Sequence, residues 1–221
     1  MPLKSPVLRL FIATLLCLSG AAALGEAQAA DGEKIRDISP DRQFALRIEY
    51  DVELNKEYSE SGKEDPDKVF SQATKGVDLV ALPSKKSVTN LIDRLGDEDR
   101  VLTLIWSADS KWFALYSGTH RIGVTSIYHR SGDGFVLAGD TDTDHLSVDA
   151  EKGLKGAEVK NEYVRPIRWT SPGILVLEQT SIFRGVIDSV TFQLTVGVDP
   201  KSGKFRILSK KKVGSQKTID N

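Results

Sequence analysis

The chain has 221 residues, 30 basic and 31 acidic side chains, three histidines and a net charge of −1. That balance excludes recognition of nucleic acid or of an anionic membrane through bulk charge. A lone cysteine, Cys17, excludes an internal disulfide, and the length suits one domain, or two very small ones, with a core of its own.

In chain order, residues 1–30 read as a secretory signal peptide. Lys4 and Arg9 form a basic start, Leu10 to Leu18 an apolar run, and Ala27-Gln28-Ala29-Ala30 an A-x-A cleavage site. An uncleaved anchor helix needs about 20 apolar residues, and Gly20, Gly25, Glu26 and Gln28 interrupt this stretch. Cleavage removes Lys4, Arg9 and Glu26, so 30 basic and 31 acidic residues become 28 and 30, a net charge of −2. The remainder carries no cysteine, as suits a bacterial exported protein held together by its core. The expectation is a periplasmic or secreted protein with residues 31–221 as a single β domain and no membrane insertion after cleavage.

From Asp31 onward, short apolar runs are separated by Gly, Pro, Asp and Ser. Val77 to Leu82 and Val88 to Ile92 read as strands. The stretch from Asp51 to Lys68 holds nine charged residues from Glu53 to Lys68 and almost nothing apolar, which predicts a mobile solvated loop. Trp112 to Tyr116 and Ile174 to Leu177 are continuous apolar runs, as in strands covered on both faces. Ser126 to His129 and Phe135 to Ala138 flank a turn at Arg130-Ser-Gly-Asp-Gly134. A second insertion begins at Gly139 and ends near Asn161. Val190 to Val198 alternates strictly, turns at Asp199-Pro-Lys-Ser-Gly203, and alternates again over Lys204 to Leu208. Lys210-Lys211-Lys212 and the residues after them read as a solvated terminus.

A repeat runs through these elements. Leu104-Ile-Trp-Ser-Ala-Asp-Ser-Lys-Trp-Phe-Ala-Leu115 has a counterpart in Ile167-Arg-Trp-Thr-Ser-Pro-Gly-Ile-Leu-Val-Leu177 and another in Ile35-Arg-Asp-Ile-Ser-Pro-Asp-Arg-Gln-Phe-Ala-Leu46. Each is a strand, a Ser/Pro/Asp turn and a second strand, and each precedes two more strands. The fold expected is all-β, with about three four-stranded antiparallel blade-like meanders over residues 33–95, 100–139 and 162–210. The alternative is a β-sandwich. Ser39-Pro40-Asp41, Trp106-Ser107-Ala108-Asp109 and Trp169-Thr170-Ser171-Pro172 resemble the W-S-P-D-G turn between the first two strands of β-propeller blades, as in Tol-type periplasmic propellers and WD-repeat proteins. No copy carries all five residues, and the units recur at over sixty residues against about 40–45 for WD-type blades. The resemblance therefore implies propeller-like sheets rather than a closed ring.

One stretch carries a pattern for metal chemistry. In GDTDTDHLSVDAEKG, Asp140, Asp142 and Asp144 alternate, and Glu151 closes a twelve-residue window. These carboxylates match the first, third, fifth and twelfth ligand positions of a calcium loop, with the Leu146 carbonyl as a further ligand. His145 stands where such loops need glycine, and the flanks are strand-like, so the competing reading is a solvated acidic connector. Calcium is the one cofactor this sequence suggests. His120, His129 and His145 show no metal-ligand spacing, although His120 and His129 fall on strands read as neighbours. There is no G-x-S-x-G elbow, phosphate-cradling loop or nucleophilic cysteine outside the leader. Trp106, Trp112 and Trp169 read as core packing, and Glu178, Arg184 and Asp188 as residues that face water or pair across strands.

The resulting expectation is an exported binding or interaction module without a catalytic centre, engaging an envelope protein or a second copy of itself through loops and open sheet edges. Two alternatives stand beside it. One is a cell-envelope hydrolase with a carboxylate/histidine site, and the other is a structural protein stiffened by calcium.

Overall fold

Short alternating or wholly apolar runs closed by turn residues can bury surface only by pairing side by side, and the described residues form thirteen such strands. The computed structural model describes residues 32–61, 68–69, 72–92, 100–141, 158–184, 189–199, 201 and 204–216. The first sheet consists of β1 (Glu33–Arg36), β2 (Phe44–Tyr50), β4 (Thr74–Ala81) and β5 (Lys86–Ile92), in that spatial order and antiparallel throughout. The second meander is β6 (Arg100–Trp106), β7 (Trp112–Gly118), β8 (Ile122–Ser131) and β9 (Gly134–Asp140). The third is β10 (Val159–Ser171), β11 (Ile174–Phe183), β12 (Ser189–Val198) and β13 (Phe205–Gln216). Three four-stranded antiparallel meanders are thus present, as the repeat predicts.

The second and third meanders are also joined. Glu162 and Tyr163 of β10 pair in parallel with Ile122 and Gly123 of β8. A two-residue strand, β3 (Lys68–Val69), pairs with the free side of β6. The resulting nine-stranded order runs from β13 to β3 without closing on itself.

The meanders stack face to face. Phe44, Leu46, Ile48, Val77 and Leu79 of the first sheet meet Leu102, Leu104, Phe113, Leu115, Tyr128 and Phe135 of the second. The opposite face of the second sheet, with Trp112, Ala114 and Ile127, meets Val164, Leu175, Leu177 and the alternating Val190, Phe192, Leu194, Val196 and Val198 of the third. Strand β7 lies between both cores, which is why Trp112 to Tyr116 is apolar without alternation and buried at every position.

Two segments depart from expectation. The charged stretch after Asp51 contains a helix, α1 (Val52–Glu60), where a loop is predicted. Its start is set locally: the Asp51 carboxylate accepts from the Glu53 and Leu54 amides at 3.1 and 3.3 Å, which caps the first turn. Those bonds, the Leu54 amide foremost, together with the Lys75 ammonium, hold the Asp51 carboxyl below its ordinary range. Without an apolar stripe the helix leaves no periodic signal, and only the cap marks it. The second departure is Lys210-Lys211-Lys212, which continues β13 instead of forming a terminus, with Lys210 opposite Leu194 and Lys212 opposite Phe192. The aliphatic stems let lysines sit on an apolar face, and the Lys210 ammonium lies 4.4 Å from the Phe192 ring centre.

Tyr116 ties the end of the β7–β8 hairpin together. Its ring lies over Gly118 and Gly123, which are direct cross-strand partners, and a Cβ on either glycine would collide with the phenol. Replacing Gly123 by alanine is expected to destabilise the protein by about 1–3 kcal/mol through overpacking. In a Tyr116→Ala background the same change should cost almost nothing; a double-mutant cycle by urea denaturation measures the difference.

Candidate functional site

The Ser/Asp turns come first, because they set the spacing of everything else. In the first sheet the Ser39 hydroxyl donates to Asp41 at 2.6 Å and accepts from the Phe44 amide at 3.0 Å, while the Gln43 amide donates to Asp41 at 3.1 Å. In the second, Ser107, Asp109, Lys111 and Trp112 make the same three bonds at 2.6, 3.1 and 3.0 Å. Arg42, Ser110 and Gly173 occupy the same place in the three turns and all have positive φ, at 58°, 56° and 71°. Glycine enters that conformation without strain, so the first two turns hold it against a steric cost through their hydroxyl–carboxylate bonds. The third turn has glycine and no aspartate.

The turns are linked across sheets. The Ser110 hydroxyl accepts from the Asp41 amide at 3.0 Å. The Trp106 indole donates to the Asp37 carbonyl of the first sheet at 2.7 Å, and the Trp169 indole donates to the Ile105 carbonyl of the second at 3.1 Å. The two tryptophans are equivalent in the repeat, and each reaches back to the equivalent backbone carbonyl of the preceding sheet. Beyond packing, they are directional connectors. In the first sheet that place belongs to Ile38, which has no donor and is 55% exposed.

The histidines do not converge. His120 lies in the β7–β8 turn, where its ring accepts from the Arg121 Nε at 3.0 Å and its carbonyl accepts from the Tyr163 hydroxyl at 2.6 Å. His129 is near the other end of β8, roughly 25 Å along the strand at about 3.3 Å per residue, with its ring 4.4 Å from that of Trp112. Among the described residues no three His, Cys, Asp or Glu side chains gather as a metal site. Of the predicted calcium ligands, Asp140 ends β9, opposite Ser126. The Tyr128 phenol has its pKa raised, first by burial and then by the charge of Asp140. Asp142, Asp144, His145 and Glu151 lie outside the described residues, as does Asp188. Arg184 pairs with Glu158 at 3.6 Å.

Sequence reasoning missed a cleft of about 430 Å³ where β6, β7, β10 and β11 meet, lined by Val101, Thr103, Tyr116, Arg165, Pro166, Ile167 and Glu178. The Arg165 guanidinium lies across two phenol rings, 5.4 Å from the Tyr116 centre and 5.9 Å from that of Tyr163, and its Nε donates to the Tyr116 oxygen at 3.4 Å. Glu178 is the direct cross-strand partner of Arg165. Neither forms an ion pair among the described residues. Counting back from the β10–β11 turn does not reveal this pairing, because register shifts between Pro166 and Arg168 and between Trp169 and Ser171 change the register on the way.

Among the described residues, strand β13, twelve residues long, is hydrogen-bonded only to β12 and forms the far edge of the third sheet. Arg206, Lys210, Lys211 and Lys212 are exposed along it, together with Ile207, Leu208 and Val213, and neither β12 nor β13 carries an acidic residue. No described helix is long and apolar enough to cross a membrane.

Two outcomes test the turn network. Trp106→Phe keeps a ring but loses the donor to Asp37, and is expected to cost about 1–3 kcal/mol in chemical denaturation. Burial pushes the Asp109 carboxyl up, but bonds from the Ser107 hydroxyl and the Lys111 amide, with the Lys111 charge, outweigh it and hold the group below its ordinary 3.8. A carboxyl lowered in the folded state stabilises at pH values above its ordinary one, and that contribution is lost as pH falls through the folded value. The melting-temperature gap between the protein and Asp109→Ala should therefore be full at neutral pH and narrow below about 3.8.

No family model and no curated protein matches this chain. Among solved structures, it is similar to the β-propeller domain of Nup133 from Vanderwaltozyma polyspora, with 14% sequence identity and a TM-score of 0.34 over 88% of this chain and 50% of that one. The chain thus spans half the length of that domain, and the likeness is partial.

Proposed function

We propose that this protein is an exported interaction module of the bacterial envelope that binds rather than catalyses, and that it takes an extended acidic segment of a partner protein onto the free edge of β13. The observation that carries this reading is the edge itself: twelve-residue strand β13, whose one strand neighbour among the described residues is β12. A strand presenting unpaired N–H and C=O groups is a template for another chain. Arg206, Lys210 and Lys211 are exposed on a strand that carries no acidic residue, which favours an acidic segment, and Ile207, Leu208 and Val213 offer apolar contact. Export rests on the leader-like order of charge, apolar run and small residues over positions 1–30 and on the cysteine-free remainder.

The test uses the protein secreted by a bacterial host from the full coding chain, with its N terminus read by mass spectrometry. A start near Asp31 supports export, and an intact Met1 overturns it. A fluorescent decapeptide alternating glutamate and valine should bind at low ionic strength and protect the β13 amides from hydrogen exchange. Lys210→Glu/Lys211→Glu/Lys212→Glu should abolish binding. Equal binding of the lysine–valine peptide, or unprotected β13 amides, overturns the edge as the docking site. Sedimentation without peptide distinguishes pairing of two copies, which would show as a dimer.

A further inference from the structure

We propose that the cleft between the second and third sheets is a binding site for a free α-amino acid with an apolar side chain, recognised as a zwitterion by Arg165 and Glu178. This site is separate from the β13 edge and does not depend on it.

The argument begins with two charges that do not neutralise each other. As direct partners on adjacent antiparallel strands, Arg165 and Glu178 have Cβ atoms about 4.5–5.5 Å apart, a distance at which an ion pair normally closes. Here the guanidinium is drawn sideways instead. It lies over the Tyr116 and Tyr163 rings, with Nε engaged by the Tyr116 oxygen. Both rings are themselves fixed. Tyr116 is buried and bedded on Gly118 and Gly123, and Tyr163 donates to the His120 carbonyl at 2.6 Å. The Nη edge of Arg165 is therefore held in place with no carboxylate on it. Glu178 is half-buried and makes no hydrogen bond or ion pair among the described residues.

A ligand that brings an ammonium to Glu178 gives it the charged partner that it does not have among the described residues. The guanidinium fork suits a planar carboxylate. A molecule carrying both groups a few ångströms apart satisfies both residues at once, and an α-amino acid is the smallest that does so. Its side chain would rest on Val101, Pro166 and Ile167, with the Thr103 hydroxyl at the rim. The volume, about 430 Å³, lies in the usual range for small-ligand sites, about 300–1,000 Å³. An anion alone would meet Glu178, and a cation alone would meet Arg165, so the pair selects against both.

Isothermal titration of the full-length protein with leucine, leucinamide and N-acetyl-leucine decides the matter. Leucine, or a close apolar relative tried beside it, should bind, while the two derivatives, each lacking one charge, should bind at least about tenfold more weakly. Glu178→Gln and Arg165→Met should each weaken leucine to the same degree, with unchanged circular dichroism. Arg165→Lys, which keeps the charge but loses the fork, should fall between. Amide resonances of Thr103 and Tyr116 should shift on titration. Equal binding of the amide and the acetylated form overturns the proposal. So does the absence of heat and of resonance shifts with every apolar amino acid at millimolar concentration, which would mean that Arg165 and Glu178 close on each other in solution.

Discussion

The arrangement of the three sheets depends on a hydrogen bond made twice: an indole N–H of one sheet to a backbone carbonyl of the sheet before it. Trp106 to Asp37 and Trp169 to Ile105 join sheets that otherwise meet through apolar side-chain packing and a few further hydrogen bonds, among them Arg36 to the Leu102 carbonyl and the backbone pairs of β8 with β10. Apolar packing is non-directional and tolerates sliding. A donor that must find one carbonyl does not, so the indoles set the angle and height at which the faces meet. The Ser/Asp turns serve the same end. By holding Arg42 and Ser110 at positive φ they place the strands on either side of each turn, and the Ser110 hydroxyl extends the connection to the backbone of Asp41.

That constraint has a chemical by-product at the junction of the second and third sheets. β10 pairs with β11 along its length and with β8 at Glu162 and Tyr163. Side chains from β6, β7, β10 and β11 line the space at this junction. Register shifts in β10, and no local motif, set Arg165 opposite Glu178 beside Tyr116. At the outer side of the third sheet β13 is, among the described residues, the edge strand, and it is rich in cations. Lysine on an edge strand discourages pairing with like edges.

How much of this was legible beforehand follows from the range of each interaction. Strands, hairpin turns and the threefold repeat are recorded within a dozen residues, as in Leu104 to Leu115, so alternation and turn chemistry reveal them. The equivalence of Trp106 and Trp169 was visible too, but their direction was not, because the acceptors at Asp37 and Ile105 lie more than sixty residues away. The helix after Asp51 is not legible in the sequence because its one strong signal is a cap, and its composition otherwise matches a solvated loop. The cleft was hidden more deeply: it depends on register shifts in β10, which move Arg165 opposite Glu178, and on two glycines whose purpose appears only once Tyr116 lies across them. The acidic pattern from Asp140 onward points to calcium by spacing alone, and only its first residue falls within the described fold.

The direction of the indole bonds also bears on the order in which the molecule can be built. Each tryptophan seeks a carbonyl that belongs to an earlier part of the chain. A sheet made first already holds the acceptor that the next one requires, whereas a later sheet forming early would carry an indole with nowhere to dock. A polypeptide emerging N-terminus first therefore meets its partners in the order in which they become useful.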